Sequence, residues 1–299
     1  MKKIILISFI ILLISCKKDK KNNVSQSELN VPKEQTQTNI EADDDNDYYG
    51  NWVGDFNSEV EDDGEDEYTY HKINLVIEKI TNEKILGHSV VAGNFRPFEG
   101  KINPLKENSY EFEVKEPGDN KYDGEFKFNI QNDTLVGIWS SFNKKIRITD
   151  RSYKLTKKEF QYDSSLMLDE RGYYQDVYTK KTHKEIMDEN DPDSGYVEET
   201  FRAGSDVINK LNASTTILTE KQLKNLKKLE LEIIRNTIFA RHGYTFKKKV
   251  ARQFFDVQDW YIPVSADVSK DLTEVEKINI KTLQRFEKYA KDSYESFGR

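Results

Sequence analysis

Cysteine is almost missing from this chain: Cys16 is the only one among 299 residues. A lone cysteine has no intramolecular disulfide partner and no companion for a thiolate metal site, which excludes a disulfide-stapled scaffold and a zinc ribbon. Histidine is nearly as sparse. His71, His88, His183 and His242 stand far apart, with no His-Glu-x-x-His pair and no other metal-ligand spacing, so no metal site is expected. A Gly-x-Ser-x-Gly nucleophile turn is absent too. The apolar run from Ile4 to Ile14 covers 11 residues, short of the roughly 20 that a membrane-spanning helix needs. Between Glu41 and Glu67 there is no Lys or Arg at all. No cofactor motif and no nucleic-acid motif is present, so neither a cofactor nor a nucleic-acid partner is expected.

What is present divides along the chain. Lys2 and Lys3 precede the apolar run, and Ser15-Cys16 follow it, the outline of a secretion signal over residues 1–16. Leu13-Ile14-Ser15-Cys16 resembles the bacterial lipobox, which implies cleavage before Cys16 and acylation of that residue. Several acyl chains would tether the mature protein stably to a membrane with its body in water. Lys17 stands where an inner-membrane retention signal would carry Asp, pointing to the outer membrane of a diderm bacterium. Residues 17–47 are rich in Lys, Asn, Gln, Thr and acid with almost nothing apolar, and are expected to form a disordered tether. Asp43 to Asp47 supply alternating oxygens, but Tyr48 occupies the place of the glycine in a calcium loop, so this is read as a solvated tail.

From residue 48 to 156 the chain becomes short period-two runs between turns. Ile73, Leu75 and Ile77 alternate with Lys72, Asn74 and Glu78; Tyr110, Phe112 and Val114 alternate with Glu111, Glu113 and Lys115. Phe126, Phe128 and Ile130, and then Ile146 and Ile148, repeat the pattern. Apolar on one face and charged on the other, these runs predict about eight antiparallel strands with a wet outer side, as an up-and-down meander forming a small barrel or sandwich. Gly50-Asn51-Trp52-Val53-Gly54 resembles the first strand of lipocalin-like barrels. That resemblance implies a tryptophan plug covered by a basic side chain from the last strand, here Arg147 or Arg151, and a carrier of a small apolar ligand. The bulky Phe, Tyr and Ile set would instead fill a narrow interior.

Residues 157–215 read as a bridging hairpin and linker, with strands at Tyr173–Tyr178 and Tyr196–Phe201 and DENDPDSG at 188–195 as the turn. Residues 216–292 switch to helical signals. Thr219 with Gln222 and Thr273 with Glu276 each form a capping box. The first helix should run through Leu223, Leu226, Leu229, Ile234 and Ile238 to Gly243; a short one fits KKKVARQFF, and a last one should bury Val275, Ile278, Thr282, Phe286 and Tyr289. The fold class expected is α+β with two domains, an N-terminal antiparallel β domain and a small C-terminal helical one.

The helical segment carries a motif. Arg235-Asn236, Phe239-Ala240-Arg241-His242-Gly243-Tyr244, Phe246, Trp260-Tyr261-x-Pro263 and Glu276-x-x-Asn279 resemble the YARHG domain, with Phe239 where the family has its first tyrosine. The resemblance implies an extracytoplasmic location and no settled activity. Physically, Arg241 and His242 end a helix where positive charge meets the macrodipole, worth about 0.3–1 kcal/mol when exposed. Gly243 suits a left-handed cap. Arg235 would reach Glu276, and the Trp260 ring would stack on a guanidinium.

Three functional readings follow. A non-catalytic binding or scaffolding module would contact an anionic envelope glycan or an envelope protein through Arg235, Asn236, Arg241, His242, Tyr244, Trp260 and Tyr261, the basic balance of residues 220–252 favouring an anionic partner. A lipocalin-like carrier would use the β domain. A cell-envelope hydrolase would need His242 as acid or base, Arg241 as anion clamp and Glu276 as orienter.

Overall fold

The structure is a computed structural model that describes residues 47–58, 71–81, 84–105, 109–170, 174–179, 182–186 and 196–292. The signal segment with Cys16, the tether before Asp47, Tyr173 and the 188–195 turn lie outside the described residues. The described residues, from Asp47 to Asp292, belong to one compact unit. Its layout is α+β: an eight-stranded antiparallel barrel followed by a helical region. Among the described residues no helix is long and apolar enough to cross a membrane.

The strands are β1 Gly50–Ser58, β2 Lys72–Ile80, β3 Lys84–Val91, β4 Asn94–Pro104, β5 Tyr110–Lys115, β6 Gly124–Gln131, β7 Thr134–Ser141 and β8 Asp150–Lys158. Each pairs with the next, and β8 returns to β1, so the meander closes as a barrel rather than a sandwich and leaves no free edge. The β3–β4 turn is the two-residue pair Ala92 and Gly93, both at positive φ (50° and 78°), the twist that a tight hairpin demands. Inward side chains fill the interior. Trp52, Leu75, Phe112, Phe128 and Leu155 are fully buried, and the Phe112 and Phe128 rings stack at 5.1 Å.

Several sequence expectations shift once the chain is folded. Arg151 does not cover Trp52. The β1–β8 register places Arg151 opposite Ser58 and Lys157 opposite Trp52, so Arg151 lies about 20 Å along the strand from Trp52. Its guanidinium lies over Phe56 instead, 5.1 Å from the ring centre, while the Trp52 indole donates to the Tyr48 carbonyl at 2.9 Å. Arg147 sits in the β7–β8 connection at the same distant end. Ile146 and Ile148 belong to that connection and not to a strand. The bridging hairpin is offset: β9 Gln175–Asp176 pairs with β12 Arg202–Ala203, and β10 Thr182–Ile186 with β11 Tyr196–Thr200. The buried Asp176 carboxylate accepts the amides of Tyr178 and Thr179, which turns the chain out of β9 after two residues.

The helices are α1 Glu220–Leu223, α2 Lys228–Arg241, α3 Lys249–Phe255 and α4 Glu274–Glu287. Both predicted capping boxes form. The first helix is nevertheless broken. Lys227 is extended, and Glu230 reaches back to its amide at 2.7 Å, so a new helix starts there although Leu223, Leu226 and Leu229 are all buried. Helix α4 is also rotated from the expected stripe. It buries Glu276, Asn279, Ile280 and Leu283, and leaves Ile278 and Tyr289 exposed. Counting apolar residues missed this because two of the inward positions are polar.

Barrel and helical region meet along β2. Lys72 and Asn74, expected on the wet face, are buried there. The Lys72 ammonium donates to the carbonyls of Gln258 and Tyr261 (3.2 Å to the latter), and the Asn74 amide donates to Asn51 Oδ1 at 2.9 Å and to the Pro263 carbonyl at 3.0 Å. Burial pushes Lys72 down to about 8, with Lys158 adding to the effect and Asp256, Asp259 and Asp55 opposing it. Lys72→Ala strands two buried carbonyls without a donor and should cost about 1–3 kcal/mol of stability. Urea unfolding of residues 39–299 checks this, and an unchanged midpoint would show that the contact contributes nothing.

Candidate functional site

Helix α2 closes with a full Schellman turn. Gly243 has φ 71°; its amide donates to Ala240 O at 2.9 Å and the Tyr244 amide donates to Phe239 O at 3.0 Å. The rings of Phe239 and Tyr244 meet across this turn with centres 5.9 Å apart, the apolar contact that such caps favour. A Cβ at position 243 would lie 2.4 Å from Val264 and 2.8 Å from Phe160, so only glycine fits. The Gly243 carbonyl accepts from the Val264 and Ser265 amides (2.8 and 3.0 Å), which ties the end of α2 to the chain leaving Pro263.

The turn drives Arg241 and His242 inward. Both are buried, at 2% and 6% exposure. The Arg241 guanidinium donates to the Leu166 carbonyl (2.7 Å) and to Ser214 Oγ (2.9 Å), and meets Met167 Sδ at 3.1 Å. Burial pushes it down to about 10, with Tyr162, Glu276 and Asp163 opposing. His242 Nε2 lies 2.8 Å from Glu276 Oε2, and its ring stacks on Tyr162 at 4.2 Å. The Tyr162 hydroxyl donates to Glu276 Oε1 at 3.0 Å. Glu276 also closes the α4 capping box by accepting the Thr273 amide at 2.9 Å. Burial alone would raise this carboxyl, but hydrogen bonds from His242, Ser214 and the Thr273 amide outweigh it and hold the group at about 2.

Glu276 is thus the hub that joins the end of α2, the start of α4 and the 162–214 segment. The three residues of the hydrolase reading do come together, but the His242 and Glu276 side chains are 5% and 0% exposed. An acid or base needs hydrogen-bond reach to a substrate, and here the ring face and both carboxylate oxygens are already occupied by the protein. The other sequence-predicted residues scatter. Arg235 pairs with Glu287 at 2.6 Å and not with Glu276, because Glu287 sits three turns further along α4, level with Arg235; Arg235 also donates to Asn236 Oδ1 at 3.0 Å. The Trp260 indole donates to the Met167 carbonyl at 2.9 Å and meets Tyr261 edge to face, with no guanidinium stacked on it among the described residues. The Tyr261 hydroxyl donates to Tyr244 O at 2.7 Å.

Sequence reasoning overlooked Tyr162 and Ser214, which lie far from the motif in the chain, and the role of Asn279. That buried amide donates to Ala213 O and Thr216 O, both at 2.8 Å, and accepts from the Leu218 amide at 2.9 Å. Its spacing of three residues from Glu276 was the available clue, since both then face one side of a helix. Among the described residues no group of three or more His, Cys, Asp or Glu side chains could hold a metal ion.

Comparison with known proteins adds a location. Residues 205–288 match the YARHG domain, a domain typical of extracellular or periplasmic proteins. No curated protein and no solved structure matches the chain. The matched span begins at the 3₁₀ turn Asp206–Asn209, and so takes in Ala213 and Ser214 along with the helices.

Gly243→Ala should destabilise residues 39–299 by about 1–3 kcal/mol through backbone strain alone, with the Val264 clash adding to it; thermal unfolding measures the loss. A second expectation concerns acid. Glu276 is held at about 2 in the folded state against an ordinary 4.5, so its stabilisation is complete above about pH 4.5 and is lost as pH falls toward 2. Glu276→Gln should therefore be less stable than the native chain at pH 7, and the gap should close as the pH approaches 2. A gap that stays constant with pH would contradict this.

Proposed function

We propose that this chain is a lipid-anchored, extracytoplasmic binding protein of the bacterial envelope, held in the outer membrane of a diderm bacterium through acylated Cys16. Its YARHG region holds an envelope component, an anionic glycan or a protein, without transforming it. What carries this reading is the inward commitment of Arg241, His242 and Glu276: the motif is spent on bracing the module. The charge left on the outside is cationic, with Lys221, Lys224, Lys247 and Lys248 all exposed. In this reading the motif residues position a surface, and the outward lysines make the contact. Their attraction for an anionic polymer should weaken with salt.

Fractionation tests the anchor: Cys16→Ser should move the protein from the membrane fraction to the soluble one. Sedimentation of residues 39–299 with isolated envelope tests the surface. Replacing Lys221, Lys224, Lys247 and Lys248 by Glu should abolish retention with little change in melting temperature, whereas His242→Ala should lower the melting temperature. Retention that survives the charge reversal, or hydrolysis of envelope material that disappears in a folded His242→Ala protein, would overturn the proposal.

A further inference from the structure

Helix α4 has a face that the core does not use. Its sequence carries an apolar stripe, Val275, Ile278, Thr282, Phe286 and Tyr289, but the residues turned into the core are Glu276, Asn279, Ile280 and Leu283. The stripe lies to one side of them: Phe286 is half-buried, while Ile278 is 44% and Tyr289 74% exposed. Asn279 holds the chain ahead of α1 against α4 through Thr216 and Leu218, which sets the 57% exposed Ile217 near the same face. Apolar side chains scattered singly on a surface need no explanation. These follow one line, roughly 16 Å long from Ile278 to Tyr289.

At the Tyr289 end the stripe meets a groove between α1, α2 and α4. Its volume is about 370 Å³, and Leu223, Leu226, Leu231, Phe286 and Ala290 give it an apolar lining. The rim is cationic. Lys224 and Arg285 line it directly, Lys221 is on α1 three residues before Lys224, and Lys281 and Lys288 stand on either side of Arg285 at helical spacing. All five are exposed. The acids of these helices are committed to other partners: Glu220 to Arg285, Glu274 to Lys277 and Glu287 to Arg235, with Asp292 on Arg202. Among the described residues Lys221, Lys224, Lys281 and Lys288 have no ion-pair partner. The Lys288 ammonium lies over the Tyr289 ring, 5.5 Å from its centre.

An apolar groove inside a rim of unpaired lysines is complementary to a partner that presents apolar side chains and carboxylates together. We propose that this face docks an acidic amphipathic helix of another envelope protein. Its apolar side chains lie over Ile278, Phe286 and Tyr289 and enter the groove, and its flanking Asp or Glu residues meet Lys221, Lys224, Lys281 and Lys288. An anionic polysaccharide would answer the lysines but leave the leucine-lined groove wet, and a flat bilayer surface would not fill a depression between helices. Resting on the non-catalytic binding proposed above, this docking face narrows the partner to a protein and centres the contact on α1 and α4.

Fluorescence anisotropy on residues 39–299 tests this with a labelled model helix that has Leu along one face and Glu along the other. Two control peptides carry Ser for Leu or Lys for Glu, and polygalacturonate and phosphatidylglycerol vesicles serve as competitors. The Leu/Glu helix should bind at one site, and both controls should bind at least tenfold more weakly. Tyr289→Asp and Lys224→Glu, both at exposed positions, should each weaken binding about tenfold with the melting temperature unchanged, and Lys248→Glu should leave it as it is. No binding, equal binding of the Ser-for-Leu control, or affinities unchanged in Tyr289→Asp and Lys224→Glu would each overturn the assignment. So would displacement of the helix by polygalacturonate or vesicles, self-association of the protein that Tyr289→Asp abolishes, or peptide binding that appears only when residues 293–299 are removed; these give the face to a glycan, a membrane, a second copy or that segment. Envelope retention that is lost on reversing the four lysines but survives Tyr289→Asp, with no binding of the model helix, would leave the binding reading standing and remove this one.

Discussion

The stretch from Gln258 to Pro263 is a loop that runs through the interior, and its backbone carbonyls must find donors there. Buried backbone groups are almost always paired, and a loop cannot supply the partners itself. Here the barrel does so: Lys72 serves Gln258 and Tyr261, and Asn74 serves Pro263. This requirement makes one unit of the barrel and the helices. It explains why a strand that looks half-wet carries a buried ammonium, and why the Trp260-Tyr261-x-Pro263 segment keeps a defined shape. Tyr261 works in both directions, since its hydroxyl ties the loop back to Tyr244 while its carbonyl faces the barrel.

The same loop also anchors the YARHG motif. The chain leaves Pro263 and pairs at once with the Schellman turn through Val264 and Ser265, so the end of α2 is fixed from the barrel side. From the other side Glu276 gathers His242, Tyr162 and the Thr273 amide. Arg241 and His242 lie between these two supports. A helix end carrying two cations reads as a reactive or binding feature in isolation; in place it is a corner held by complementary hydrogen bonds. The network has a cost, since a buried carboxylate must be fully compensated, and the hydrogen bonds at Glu276 meet that condition. Docking also brings Arg252 of α3 beside His71 at the barrel mouth. The helical region adds Lys249 and Arg252 to a barrel mouth that already carries Arg96, Lys121, Arg147 and Arg151.

Much of this was legible in the sequence wherever the rule is local. Period-two alternation identified the barrel strands because each one buries a single face, but it left a barrel and a sandwich both open, and only the pairing of β8 with β1 closes the barrel. Thr219 with Gln222 and Thr273 with Glu276 marked helix starts because a capping box needs only four residues. Gly243 marked a helix end because the left-handed conformation excludes other side chains. The motif itself could be read from its residues.

What the sequence could not decide was which neighbour each polar side chain would meet. Arg235 was given Glu276 and took Glu287, leaving Glu276 to His242 as only the hydrolase reading had it; Lys72 and Asn74 were assigned to water and are buried. These errors share one cause. Alternation and capping depend on residues a few positions apart, whereas the partner of a buried charge is set by packing between segments that lie 34 residues apart in the His242–Glu276 pair and 181 in the Arg252–His71 pair. The sequence by itself determined the elements, the helix end at Gly243 and the YARHG resemblance. Only the tertiary structure decided that the motif faces inward and that Arg252 of α3 lies beside His71 at the barrel mouth, because the energy of a buried ion depends on the donors and acceptors that the whole fold brings around it.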